Sequence, residues 1–277
     1  MPATGLLDCL PVAHRLADAA RPIARRYFRT TGLGVDDKSA DAAPGDAAGS
    51  YDPVTLADRA IERAMRDILA TSRPDDGILG EEYDDVPSRS GITWVIDPID
   101  GTRAFLCGLP SWGVLIAVND GTRPVIGIMD QPFTGERFTG IATADRQGAT
   151  LHEPGNQHHL AVRTTADLGE ALMCCTDPSM FKTDAERAAF LRIDAQVRMT
   201  RFGTDCYGYA LLAMGQVDLV VEASLKPYDI QAMIPLVEAA GGIVTDWQGG
   251  DAQHGGQVIA AATPALHAAA LSALKGA

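Results

Sequence analysis

Hydrophobic residues recur at helical spacing in two stretches near the start of the chain. Within residues 6–27 one face would collect Leu6, Leu10, Ala13, Leu16, Ala20, Ile23 and Ala24, and within residues 57–70 another would collect Ile61, Ala64, Met65 and Ile68. Between the two, residues 36–51 are rich in Asp, Ala, Gly and Ser and nearly free of apolar side chains. The pattern predicts two amphipathic helices joined by an acidic loop.

Shorter apolar runs follow and predict a layered α/β structure. Strand-like runs lie at residues 77–80, 92–96, 113–119 and 124–129. The second half alternates strand-like runs (172–176, 199–202, 217–222, 243–245) with helical ones (184–196, 207–214, 230–240). Because residues 145–158 are polar, we expect a domain boundary there, with an N-terminal α+β domain over residues 1–150 and a C-terminal α/β domain over 151–277.

Composition and charge argue against some classes of binding partner. The 277 residues are 46% hydrophobic and carry a net charge of −13, which disfavours nucleic acids and acidic membranes as partners. No apolar run approaches the roughly 18 residues that a membrane span needs, and the start lacks the features of a secretory signal. The five cysteines include no C-x-x-C pair, so we expect buried thiols in a cytoplasmic protein.

The sequence Asp97-Pro98-Ile99-Asp100-Gly101-Thr102 is the most informative segment of the chain. It places two carboxylates at the end of the strand-like run 92–96, where Pro98 cannot donate to a sheet ladder. Gly101 and Thr102 then resemble a turn that opens a helix. Carboxylates are ligands for Mg²⁺, and free N–H groups at a helix start receive phosphate. The segment therefore predicts a place where a metal and a phosphate meet.

Other carboxylates lie beside apolar runs, notably Asp58, Glu81 and Asp229. Such groups near a core would repel one another unless a divalent cation lay between them. The spacing does not fit an EF-hand, and neither a phosphate-binding Gly-Lys-Ser/Thr loop nor zinc-protease histidine spacing nor a nucleophile elbow occurs in the sequence. These patterns favour metal-assisted hydrolysis without a protein nucleophile.

Four ordered motifs resemble those of the inositol monophosphatase-like family of Mg²⁺-dependent, Li⁺-sensitive phosphatases. They are Pro53–Asp58, Gly80-Glu81-Glu82, Asp97–Thr102, and Tyr228-Asp229 followed by Glu238–Gly242. The resemblance implies a layered αβαβα sandwich, as in the inositol monophosphatase and fructose-1,6-bisphosphatase fold, which is α+β with α/β character. It also implies a homodimer and a small phosphorylated substrate.

The resemblance further implies roles for individual residues. One Mg²⁺ would be held by Glu81, Asp97 and the carbonyl of Ile99, a second by Asp97, Asp100 and Asp229, and a third, weaker ion by Glu81 and waters. Thr102, with Asp58 behind it, would position and deprotonate the attacking water. The backbone N–H groups of Gly101 and Thr102 would hold phosphate oxygens.

The sequence near the substrate site looks like the histidinol-phosphate phosphatase branch of the family. Arg103, Asp205 and Glu222 stand in the segments that carry this likeness, and the two carboxylates would suit the cationic ammonium and imidazole of L-histidinol. Asp205 is equally a candidate N-cap of the following helix, and Arg103 is either a surface charge or a phosphate contact.

The sequence is also compatible with other substrates and with another class of protein. The substrate could be inositol 1-phosphate or a nucleotide 3′-phosphate, or the chain could be an inactive metal-binding protein. The family loop before the first motif carries a lysine, for which Lys38 is the best match; the segment 39–51 that follows it is longer and more acidic than the family pattern and would form a flap or a disordered loop.

Overall fold

The computed structural model describes residues 4–30, 35–37 and 53–276. Lys38 and the acidic segment 39–51 lie outside the described residues. The helices are α1 Thr4–Leu7, α2 Cys9–Tyr27, α3 Leu56–Ser72, α4 Thr102–Cys107, α5 Asp184–Asp194, α6 Tyr207–Ala213, α7 Pro227–Ile230, α8 Met233–Ala239 and α9 Pro264–Lys275. The strands are β1 Val35–Asp37, β2 Pro53–Thr55, β3 Gly77–Gly80, β4 Thr93–Asp100, β5 Gly113–Asn119, β6 Pro124–Gln131, β7 Glu136–Ala142, β8 Gln147–Glu153, β9 Asn156–His159, β10 Leu172–Cys175, β11 Met199–Phe202, β12 Leu219–Leu225, β13 Ile243–Asp246 and β14 Gly256–Ala261.

A seven-stranded sheet forms the first half of the molecule. Its strands lie in chain order from β3 to β9, with β3 and β4 parallel and every later pair antiparallel. The two amphipathic helices α2 and α3 pack on one face, and their apolar stripes bury Leu16, Ile61 and Met65 completely, together with Trp94 of β4. Apolar burial of this kind is the main stabilisation of the layer.

A five-stranded sheet forms the second half, in the order β11-β10-β12-β14-β13. Helices α5 and α9 cover its outer face through a core that includes Phe190, Leu219 and Leu266. Helices α6 and α8 lie between the two sheets, where Leu212 and Leu236 pack in one cluster with Phe138 of the large sheet and Val220 of the small one. The layers run helix, sheet, helix, sheet, helix, which confirms the predicted αβαβα sandwich.

The structure contains elements for which no strand or helix was predicted, among them β7, β14 and α9, and it differs from the sequence-based expectation at two further places. The polar stretch at 145–158 contains β8 and most of β9, which extend the large sheet to His159. The edge strand β9 is exposed throughout, and β8 buries Ala149 and Leu151 alone, so the two strands carry little apolar signal. The division into two domains near residue 150 stays a prediction. The helix expected over 230–240 is broken at Gln231 and Ala232 into α7 and α8.

Four cysteines are buried and Cys107 is exposed, and all five are free thiols. Within the part of the chain that the structure describes, no helix combines the length and apolar character that crossing a bilayer requires.

Candidate active site

The end of β4 carries two of the predicted acidic ligands. The pairing of β4 with β5 shifts register between Asp97 and Asp100, as the missing N–H of Pro98 predicts. Asp97 is 2% exposed, and its Oδ1 accepts a hydrogen bond of 3.0 Å from the N–H of Ile99. The bulge therefore turns both carboxylates to one side of the sheet edge.

Asp229 reaches the same place from the short helix α7. Its Oδ2 accepts a hydrogen bond of 2.8 Å from the N–H of Lys226. One oxygen from each of Asp97, Asp100 and Asp229 lies within 4.8 Å of the others. Asp229 thus joins two carboxylates that lie more than 120 positions earlier in the chain, and helix α7 fixes its position in the group of three.

The electrostatics of this group favour a bound cation. Burial raises the pKa of Asp97 and of Asp100 well above the usual value, and the charges of neighbouring carboxylates raise both further. Burial likewise raises the pKa of Asp229 to about 7. Because several hard oxygen donors share one small space and oppose each other's ionisation, the residues present fit a divalent cation such as Mg²⁺.

Glu81 and Asp58 lie around this group rather than within it. The charge of Glu81, which follows β3, contributes to the raised pKa of Asp97 and of Asp229, although its carboxylate is outside the group of three. Asp58 is buried in the first turn of α3, and its charge also raises the pKa of Asp97. Both predicted residues therefore belong to the acidic surroundings of the cluster.

The turn after β4 places Thr102 next to the carboxylates. Gly101 has a φ of 81°, the left-handed conformation in which glycine avoids a side-chain clash, and α4 begins at Thr102. The Thr102 hydroxyl donates a hydrogen bond of 3.1 Å to the carbonyl of Ile99. Since its proton is used in this way, its lone pairs can accept a hydrogen bond from another group, such as a water.

A cavity of about 160 Å³ opens beside the acidic group. Its walls come from β4, α6, α7, β12 and the loop after β10, through Asp100, Thr176, Met180, Asp205, Cys206, Tyr209, Glu222, Leu225 and Asp229. The structure therefore brings two predicted substrate residues, Asp205 and Glu222, into one cavity with two of the clustered carboxylates.

Asp205 has an unusual conformation on the wall of this cavity. Its φ is 45°, and its Oδ2 accepts a hydrogen bond of 3.0 Å from the Ser111 hydroxyl. A Cβ added to Gly101 would lie 2.9 Å from the Asp205 side chain, so only glycine fits there. The Asp205 side chain does not cap α6, because the residue that flanks that helix is Cys206.

Burial raises the pKa of Asp205 to about 6, opposed by the Ser111 hydrogen bond and by the charge of Arg103. Arg103 itself is exposed on α4 and its charge also contributes to the lowered pKa of Asp177. Arg103 thus lies on the surface, close enough for its charge to influence Asp205 on the cavity wall and Asp177.

Glu222 is 2% exposed and fully hydrogen-bonded. Its Oε1 accepts bonds from the Thr176 N–H at 3.0 Å and the Thr176 hydroxyl at 2.5 Å, and its Oε2 accepts one from the Tyr209 hydroxyl at 2.9 Å. Sequence reasoning missed Thr176 and Tyr209, since a threonine at a strand end and a tyrosine on an apolar helix face are typical of ordinary core positions.

The fold and the site together define a phosphatase of the layered αβαβα class, and comparison with known proteins agrees. The family model described as the inositol monophosphatase family matches residues 7–277, so the chain belongs to that family. Enzymes of the family are phosphatases that generally depend on Mg²⁺.

Individual relatives carry different names. A histidinol-phosphatase of Chlorobaculum parvum is 34% identical over 93% of both chains. The chloroplastic bifunctional phosphatase IMPL2 of Arabidopsis thaliana is 38% identical over 86% of this chain, which spans 64% of the plant protein. The solved structure of an inositol monophosphatase from Zymomonas mobilis is 40% identical, with a TM-score of 0.82 over 97% of this chain and 98% of that one.

Proposed function

We propose that this protein is a Mg²⁺-dependent phosphatase that hydrolyses L-histidinol phosphate to L-histidinol and phosphate. The observation that carries the proposal is the presence of Asp205 and Glu222 in one cavity with the clustered carboxylates Asp100 and Asp229. A leaving group that carries an ammonium and an imidazole would be attracted by the charge of two carboxylates, whereas the neutral hydroxyls of inositol would form hydrogen bonds with them without that attraction.

The proposed reaction assigns the remaining residues as follows. Asp97, Asp100, Asp229, Glu81 and the Ile99 carbonyl would hold two to three Mg²⁺ ions. When bound, the metal neutralises the phosphate, activates water and stabilises the departing oxygen. The backbone N–H groups of Gly101 and Thr102 would bind phosphate oxygens.

Thr102 and Asp58 would act on the water. Because the Thr102 hydroxyl donates to the Ile99 carbonyl, its oxygen is oriented to accept a hydrogen bond from the attacking water. As the water attacks, the Thr102 oxygen would take up the water's proton while the original Thr102 hydroxyl proton moves from the Ile99 carbonyl to the Asp58 carboxylate. Glu81, beside the acidic group, would orient the water from the other side.

The size of the cavity supports a small leaving group. Its volume of about 160 Å³ is well below the roughly 300–1,000 Å³ of pockets that bury drug-sized ligands. This disfavours a nucleotide 3′-phosphate. Inositol 1-phosphate is the second candidate, because the Zymomonas mobilis relative, at 40% identity, is named an inositol monophosphatase.

A direct comparison of substrates tests the proposal. With saturating Mg²⁺, we expect kcat/KM for L-histidinol phosphate to exceed that for inositol 1-phosphate by about tenfold or more, as one charge-assisted contact would give. Asp205→Asn should reduce this preference, whereas Asp184→Asn, at a side chain 99% exposed on α5, should not.

A clear preference for the inositol ester would overturn the substrate assignment in favour of the second candidate. Mg²⁺ binding in calorimetry without phosphate release from any ester would instead indicate an inactive metal-binding protein.

A further inference from the structure

The Glu222 carboxylate is a buried negative charge whose partners are all neutral. Its three donors are the N–H and hydroxyl of Thr176 and the hydroxyl of Tyr209. In the described part of the chain, no lysine or arginine forms an ion pair with it. Burial raises the pKa of Glu222, whereas these three hydrogen bonds lower it and so favour the charged form, but they leave that charge uncompensated. Glu222 is therefore prepared to interact with a cation that enters the cavity.

Two side chains donate hydrogen bonds to the Glu222 carboxylate: the Thr176 hydroxyl donates to Oε1 and the Tyr209 hydroxyl donates to Oε2. The ring of Tyr209 is 1% exposed and packs in the core between the sheets, so the hydroxyl has little freedom to move. Tyr209 belongs to α6, and the residue before that helix, Cys206, donates its N–H to Asp100 at 2.9 Å. One short helix thus fixes both a clustered carboxylate and the orientation of Glu222.

We propose that Tyr209 is a positioning residue for substrate selection: its buried hydroxyl, together with Thr176, holds the Glu222 carboxylate oriented toward the cationic leaving group. This inference rests on the function proposed above and adds a residue to it. Without the hydroxyl, Oε2 would lose its partner and the side chain could turn away from the cavity. Binding of a cationic leaving group would weaken, while the metal-assisted chemistry at Asp97 and Asp100 would continue.

Tyr209→Phe tests this role because it removes only the hydroxyl. We expect KM for L-histidinol phosphate to rise about tenfold, the typical loss for a hydrogen bond to a charged group, with kcat changed less than about twofold. KM for inositol 1-phosphate should change by less than about twofold. Tyr207→Phe is the matched control on the same helix, because the Tyr207 hydroxyl donates to Glu136 at 2.7 Å, away from the cavity.

A merely structural role for Tyr209 would give a different result. Equal losses on both esters, or a KM for histidinol phosphate that stays at the wild-type value, would overturn the inference. If Tyr209→Phe does not fold, Thr176→Val removes a hydroxyl donor from the other carboxylate oxygen and should give the same selective rise in KM; its absence would count against the inference.

Failure of the proposed function can be recognised separately. A wild-type enzyme that does not prefer histidinol phosphate contradicts the function, whatever the variants do. The same variants are then measured with 2-aminoethyl phosphate and glycerol 2-phosphate, a cationic and a neutral ester. A preference for the aminoethyl ester that is lost in Tyr209→Phe supports the inference, and any other pattern overturns it.

Discussion

Asp97 is buried among other carboxylates, so its ionised form is unfavourable without a bound cation. It is 2% exposed, and burial together with the charges of Glu81, Asp100 and Asp229 raises its pKa. Its Oδ1 nevertheless accepts the Ile99 N–H, a bond that an asparagine amide oxygen could also accept. The side chain therefore contributes charge for metal binding at a cost to the folded protein without metal.

Asp97→Asn should separate these two contributions. In EDTA we expect the variant to melt about 2–4 °C above the wild type, as relief of about 1 kcal/mol of repulsion would give in a chain of this size. With Mg²⁺, phosphate release should fall by roughly a hundredfold or more. Thermal melts and phosphate assays measure the two effects.

Asp85→Asn, at an exposed position, provides the control and should change neither quantity. An Asp97→Asn protein that melts lower than the wild type in EDTA, or that retains near-normal turnover, would contradict the assignment of Asp97 to a metal site.

At this scale the acidic cluster could be predicted from sequence and its supporting residues could not. Asp97 and Asp100 follow an apolar run directly, so their place at a sheet edge follows from local pattern. The contacts of Glu222 depend on Thr176 and Tyr209, which come from a different strand and a helix. Hydrogen bonds between side chains distant in sequence leave no periodic signal.

Among the elements, α8 is the one whose position is set most tightly by the large sheet. A Cβ added to Gly127 of β6 would lie 1.9 Å from the carbonyl oxygen of Ala232, and one added to Gly140 of β7 would lie 2.2 Å from the Cα of Leu236. The two glycines let the helix backbone approach the strands directly. Because α7 and Asp229 precede α8 by only a few residues, this contact also positions the third carboxylate.

Gly127→Ala should therefore affect both stability and the metal site. We expect it to destabilise the protein by about 1–3 kcal/mol, the usual cost of overpacking a close contact, and to weaken Mg²⁺ binding as α7 shifts. Denaturant unfolding and calorimetry measure the two quantities. Gly148→Ala on β8 is the matched control, since an added Cβ there meets nothing within 4 Å. Equal effects of the two substitutions would contradict the role given to the contact.

Element by element, the apolar patterns predicted α2, α3 and the central strands, because a buried face dictates its own period. The break between α7 and α8 was missed, since Gln231 ends α7 for a tertiary reason: its amide group accepts a hydrogen bond from Asn119 and donates one to the carbonyl of Gln253. The hairpin of β8 and β9 was missed because its outer strand is exposed throughout.

For the whole molecule, the site depends on both sheets. Asp97 and Asp100 come from the large sheet, while Glu222 lies on β12 of the small sheet and Asp229 on the helix that follows it. The layered architecture could be predicted from the alternation of elements and from the family likeness. The resemblance implied that Asp229 of the second half joins Asp97 and Asp100 of the first, but the residue patterns alone do not predict this meeting, because it depends on how α6 and α8 pack between the sheets.

The dependence of stability on pH should report this convergence of charges. Folding raises the pKa of Asp229 to about 7 and that of Asp205 to about 6, from ordinary values near 3.8. Between about pH 4 and pH 7 the native protein therefore holds protons that the unfolded chain has lost, so these groups make stability fall as pH rises. Bound Mg²⁺ displaces the protons and should remove the fall.

We therefore expect the gain in melting temperature on adding saturating Mg²⁺ to be small near pH 5 and largest above pH 7, measured by thermal melts at constant ionic strength.

Two half-buried histidines have the opposite effect on stability. His14 and His267 have lowered pKa values, chiefly because of burial, and so make stability fall as pH drops. Asp229→Asn isolates the carboxylate, because the difference between wild type and variant in EDTA cancels the histidine contribution. The stability of the wild type relative to Asp229→Asn should therefore fall as the pH rises from 4 to 7. A Mg²⁺ gain that is equal at every pH would show that the clustered carboxylates do not bind the ion in competition with protons.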